Sequence, residues 1–199
     1  MTTRKFPDNQ YPPQNLAAGG PLAEAFGGLR ELLLQSFPEN KFKYRIVQPR
    51  MSVAAWQEVA QAAPMIGMSW SSWNPSADQG NHYRGDAVFA LFLLVKQTAP
   101  KDLLTGTQTM PGVMGMANVA VQCLHGKRIG GGTVAVRSVS NLEACGWIND
   151  RTAIVTMSVA VKNLGYRPDL LTAAMTEFQS VTGGWSFELD TGSNGASDA

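Results

Sequence analysis

The sequence predicts an α+β fold: a mainly antiparallel sheet of about five strands with helices packed against it, flanked by extended N- and C-terminal arms. Three observations lead there. Several segments repeat apolar residues at helical spacing, others alternate them or run them together over strand length, and both ends lack either pattern. With 44% hydrophobic residues in 199, there is enough apolar material for a real core. The predicted organisation is an arm over 1–20, one α+β domain over 21–182 and a tail over 183–199.

The arm holds Pro7, Pro12, Pro13, Gly19 and Gly20 among few large apolar side chains, so it cannot pack an element of its own. A helix follows over Pro21–Ser36, with Leu22, Phe26, Leu29 and Leu33 as its stripe, Pro21 in its first turn and Pro38 beyond its end. Its weak point is Gly27-Gly28, each costing about 1 kcal/mol relative to Ala unless packing compensates. A strand over Phe42–Gln48 ends at Pro49, and its Lys41-Phe42-Lys43-Tyr44-Arg45 lead reads as a strand with one wet face rather than a nucleic-acid patch. Ser52 then caps a short helix through Ala62, with Trp56, Val59 and Ala63 inward and Pro64 as its stop.

Two strands come next. Met65–Trp73 carries Ile66, Met68 and Trp70 on one face and Gly67, Ser69 and Ser71 on the other, with Trp73 beyond. After the turn-rich Asn74–Asn81, His82–Lys96 is apolar on both faces, the pattern of a strand in mid-sheet. Gln97–Thr109 reads as a polar loop, and Met110–His125 as a helix with Val113, Met116, Ala117, Ala120 and Leu124 on one side, closed by Gly126. Thr133–Val139, continuing towards Trp147, and Thr152–Lys162 make two further strands around an Asn149-Asp150 turn. A last helix is expected over Asp169–Gln179, and Trp185, Phe187 and Leu189 stand at strand spacing in the tail. No internal repeat is visible.

The charge is nearly balanced, 16 Lys plus Arg against 15 Asp plus Glu, without the clustered basic face that phosphate binding requires. The longest apolar run, Ala87–Val95, is far short of a membrane span. The start lacks the apolar stretch of a signal peptide, and the two cysteines, Cys123 and Cys145, are expected as free thiols of a protein made in a cytoplasm.

No catalytic, cofactor-binding or metal site is expected from the sequence. Cys123 and His125 lie two apart on a helix and point to different sides, so they do not begin a metal site. Cys145 with His125 or His82 makes a nucleophile pair only through long-range folding, and buried cysteine usually packs inertly. The stretch Gly126-Lys127-Arg128-Ile129-Gly130-Gly131-Gly132 invites a phosphate-loop reading but follows a helix and precedes a strand, so no helix N-terminus faces the anion. It reads instead as a flexible connection. Glu24, Glu31, Glu39, Glu58, Asp78, Asp86, Glu143 and Asp150 read as solvated surface.

The aromatic content outside the expected core is unusual. Trp70, Trp73, Tyr83 and Trp147 fall near strand ends or turns and, with Trp185 and Phe187 of the tail, are the candidate interface residues. Hydrophobic edge packing is the equal alternative.

The element order resembles that of the tail terminator (tail completion) proteins of long-tailed bacteriophages, the Mu-like group included. The resemblance is carried by the helix Pro21–Ser36, the apolar strand Val88–Val95, the helix Val113–Leu124 and the strand Ala153–Val159, preceded by Gly146-Trp147. It covers roughly residues 21–165, while the proline-rich arm and the extension past Tyr166 depart from it. It implies a hexameric ring in the virion, at the head-proximal end of the tail, assembled in the host cytoplasm. Its partners would be the tail tube protein and a head–tail connector protein, with genomic DNA passing through the lumen without sequence-specific binding and no membrane involved. The alternatives are another connector or tube subunit and, in a different class, a small enzyme or ligand-binding domain using Cys145 or His82.

Overall fold

In a computed structural model of the chain, residues 19–48, 51–76, 83–142 and 151–165 are described. The elements run α1 (Gly20–Leu34), β1 (Lys43–Ile46), α2 (Val53–Gln61), β2 (Met65–Pro75), β3 (Arg84–Lys96), α3 (Pro100–Thr105), α4 (Val113–Leu124), β4 (Arg128–Ile129), β5 (Gly132–Asn141) and β6 (Thr152–Gly165). Six strands form one sheet in the order β1-β2-β3-β6-β5-β4, and every neighbouring pair is antiparallel except β1 with β2. The α+β class and the largely antiparallel sheet are as the sequence predicts. The parallel pair arises because α2 carries the chain back across the sheet between β1 and β2.

The strand β3 takes the centre, flanked by β2 and β6, as its continuous apolar run requires. Its two faces are covered unequally. Phe89, Leu91, Leu93 and Val95 are buried with Ile66, Met68, Val155, Met157, Val159 and Val161, under Ala25, Leu29 and Leu33 of α1 and Met116, Ala120 and Leu124 of α4. On the opposite face, Leu94 joins Met65 and Ile154 in a smaller cluster against Trp56, Val59 and Ala60 of α2. Trp56 meets Phe92 edge-on at 5.1 Å, and Ser52 caps α2 by accepting from Ala55 N at 3.2 Å.

The glycine pair in α1 divides into two cases. A Cβ on Gly28 would lie 2.5 Å from Cγ2 of Ile129, so this glycine lets α1 approach β4, whereas Gly27 has open space around it. The fully buried stripe of α1 is Pro21, Ala25, Leu29 and Leu33, with Leu22 and Phe26 at its margin.

Other boundaries move for local reasons. The expected loop over 97–109 contains α3, opened by Pro100 and anchored by buried Leu103. The following helix starts at Val113 rather than Met110, since Pro111 pairs with Gly106 in an isolated bridge and Met110 N donates to Thr107 Oγ1 at 3.1 Å. The glycine-rich stretch after α4 is a tight hairpin and not a flexible connection. Ile129 pairs with Gly132 across Gly130 (φ 54°) and Gly131 (φ 83°), the left-handed pair that a two-residue hairpin turn needs. Of the arm expected over 1–20, Gly20 already belongs to α1 and residues 1–18 lie outside the described residues, as do the Asn149-Asp150 turn, the helix expected over 169–179, the tail, Cys145 and His82.

Candidate protein interface at the β1 edge

The first strand lies at one end of the sheet, and among the described residues no further strand pairs with its outer edge. Lys43 N donates to Pro64 O at 3.0 Å and Val47 N to Met68 O at 2.8 Å, so alternate residues of β1 turn their backbone towards β2. The N–H and C=O groups of Tyr44 and Ile46 therefore point to the outer edge, where no strand pairs with them among the described residues. Tyr44 and Ile46 share the helix-covered face with their register partners Ile66 and Met68, while Lys43 and Arg45 project on the other. Tyr44 is anchored: its hydroxyl donates to Phe37 O at 2.9 Å, and the Arg30 guanidinium, itself paired with Glu39, sits 5.5 Å over its ring. Burial is the main cause pushing the Tyr44 hydroxyl up to about 12, partly opposed by Arg30. Ile46 is left 78% exposed.

Between this edge and α1 lies a groove of about 370 Å³ lined by Phe26, Arg30, Tyr44, Ile46 and Met68 among others. Two residues beyond Met68 on the same face stands Trp70, 49% exposed and paired with Phe89. A bulge then intervenes: Trp70 opposes Phe89, Ser72 opposes Val88 and Trp73 opposes Ala87. The extra residue, Ser71, returns Trp73 to the face of Ile66, Met68 and Trp70 instead of the face that strict alternation from Gly67 gives it. Tyr83 packs edge-on to Trp73 at 4.8 Å and donates its hydroxyl to Trp73 O at 2.9 Å. The result is a strip of exposed or half-exposed apolar side chains from Ile46 through Trp70 to Trp73 and Tyr83.

Three of the candidate interface residues, Trp70, Trp73 and Tyr83, are thus brought together. Trp70 sits at the bulge in mid-strand, not at a strand end. Trp73 is half-buried against the main core, and its buried indole Nε1 takes no hydrogen-bond partner among the described residues. Trp147, Trp185 and Phe187 lie outside the described residues. Ile46 escaped sequence reasoning because a lone isoleucine in an alternating strand reads as core, and only the strand's position at the sheet edge leaves it bare.

The remaining polar candidates have structural neighbours. Ser36 Oγ and Cys123 Sγ are hydrogen-bond partners at 3.0 Å, and His125 Nδ1 accepts from Val136 N at 3.2 Å just past the end of α4. Asp86, expected as solvated surface, is half-buried: one oxygen takes Arg137 at 2.6 Å and the other accepts from Asn163 N at 3.2 Å. Asn163 has φ 57° where β6 bulges opposite β3, so this carboxylate ties down an irregular strand end. Among the described residues no three His, Cys, Asp or Glu side chains gather as metal ligands would, and no helix is long and apolar enough to cross a membrane.

No protein-family model and no curated protein matches the sequence. Among solved structures, the chain is similar to one from the virion of a native gene transfer agent particle. That match has 12% identity, covers 75% of this chain and 97% of the other, and has a TM-score of 0.44. It is also similar to the mycobacterial sensor histidine kinase MprB, at 13% identity over 72% of this chain and 96% of the other, with a TM-score of 0.30. Neither score is high enough to identify a fold or a function for this chain.

Proposed function

We propose that the protein is a non-enzymatic structural subunit of a virion, a phage tail terminator that forms a ring at the head-proximal end of the tail tube. It stops tube polymerisation and offers the docking face for the head. The observation that carries the assembly role is the β1 edge, which no strand covers among the described residues, with its exposed strip of Ile46, Trp70 and Tyr83. An unpaired strand edge beside exposed aromatics is an association surface, and proteins that stay monomeric blunt such edges. The cysteine, histidine and half-buried carboxylate described above each serve the fold, which suits a subunit whose work is contact. The finer assignment follows the resemblance in element order, whose helices and central strands correspond to α1, β3, α4 and β6. In this reading the tail tube protein and a head–tail connector protein are the outer partners, and DNA passes through the ring unread.

The test is the mass of the purified chain in solution by light scattering, with negative-stain micrographs. The expected result is a closed ring of six. A chain that stays monomeric at high concentration, and is missing from virions of the phage that encodes it, sinks the proposal.

A further inference from the structure

We propose that the open edge of β1 receives residues 185–190 of a neighbouring copy as an added strand. This rests on the ring-forming reading and supplies its inter-subunit contact. The edge is built for such an addition. The outward N–H and C=O groups of Tyr44 and Ile46 offer backbone hydrogen bonds, and Ile46 is 78% exposed in the single chain, so its cover comes with assembly.

The two faces of β1 then select the occupant. By the strand register, one face presents Tyr44 and Ile46 towards Phe26 and the other the exposed cations Lys43 and Arg45, while the groove at the edge is lined from both, with Glu39 held by Arg30 at its rim. The tail reads Trp185-Ser186-Phe187-Glu188-Leu189-Asp190. Extended, it sets Trp185, Phe187 and Leu189 on one face and Ser186, Glu188 and Asp190 on the other. Neighbouring strands match face to face in either direction. Seating the three apolar residues against Tyr44, Ile46 and the groove therefore places Glu188 and Asp190 beside Lys43 and Arg45. The cations are free to answer: Arg30, the nearby arginine, is already paired with Glu39, whereas Lys43 and Arg45 take no acidic partner among the described residues. Apolar and charged requirements are met at once by one six-residue segment.

In a ring this is a head-to-tail contact, each copy giving its tail to the next. Charge exchange in the full-length chain tests it. One variant carries Lys43→Glu with Arg45→Glu; the other carries Glu188→Lys with Asp190→Lys. Lys43 and Arg45 are exposed, so their exchange should spare the fold, and circular dichroism melts check both proteins.

Each variant alone should assemble at least about tenfold more weakly than the parent, because like charges then face each other. Mixing the two should restore the parental assembly, since each tail now meets a complementary edge on the other copy. Variants that assemble as the parent does overturn the inference while leaving the ring intact. Failure of the mixture, with recovery when all four substitutions share one chain, shows a tail docked on its own edge and overturns the exchange between copies. Failure of both shows that these charges do not meet. A parent that is monomeric at all concentrations removes the ring reading and this inference together.

Discussion

Two neighbouring glycines in α1 show how little a residue type says without its surroundings. Gly27 faces open space, so Gly27→Ala should gain about 0.5–1 kcal/mol of stability, the ordinary helix-propensity difference. Gly28→Ala puts its Cβ against the branched side chain of Ile129, close to that residue's own backbone, and should lose about 1–2 kcal/mol net. Urea unfolding of the two variants reads opposite signs if the approach of α1 to β4 is right. Tyr44 supplies a second residue-scale test. Its hydroxyl ionises near 10 in the unfolded chain and near 12 in the folded one. The neutral phenol is thus favoured by folding; that contribution is full below pH 10 and is lost as pH rises towards 12. The stability gap between the parent and Tyr44→Phe should therefore shrink over that window, and one of the 4 tyrosines should lag in a spectrophotometric titration. A gap that is flat from pH 10 to 12 contradicts the burial of the hydroxyl.

At the scale of elements, β3 carries the most consequence. Leu93 is fully buried between β2 and β6, and Leu93→Ala should cost about 2–5 kcal/mol, whereas Glu58→Ala on the exposed side of α2 should stay within about 0.5 kcal/mol. Equal thermal midpoints for the two would contradict the central placement of β3. Ser52→Ala removes the one side-chain cap of α2 and should cost about 1 kcal/mol. These elements were legible because their signals are periodic and local: the run Val88–Val95, the cap at Ser52, the stripe through Ala120 and Leu124. What stayed hidden is irregular. The helix over Pro100–Thr105 buries a single leucine, too little to raise a periodic signal, and the bulge at Ser71 leaves no mark on the alternation that it resets.

For the whole molecule, residues 1–18 hold Pro7, Pro12 and Pro13 among few large apolar side chains, so removing them should leave cooperative unfolding in place with a midpoint within a few degrees of the parent. Differential scanning calorimetry of the two proteins reads this directly. Collapse of the transition would mean that the arm completes the core.

The sequence by itself determined the α+β class, the central strand and the principal helices. It could do so because hydrophobic periodicity reports which side of an element is dry. Only the tertiary structure decided which strand lies at the edge, and so which side chains are bare. Ile46 and Leu93 look alike in the sequence, each an aliphatic residue in an extended segment. Leu93 has strands on both sides, whereas among the described residues Ile46 has a neighbouring strand on one side only, and that difference is a property of topology rather than of any local pattern. The same holds for Asp86, whose partners Arg137 and Asn163 are distant in the chain and adjacent only after the sheet has formed.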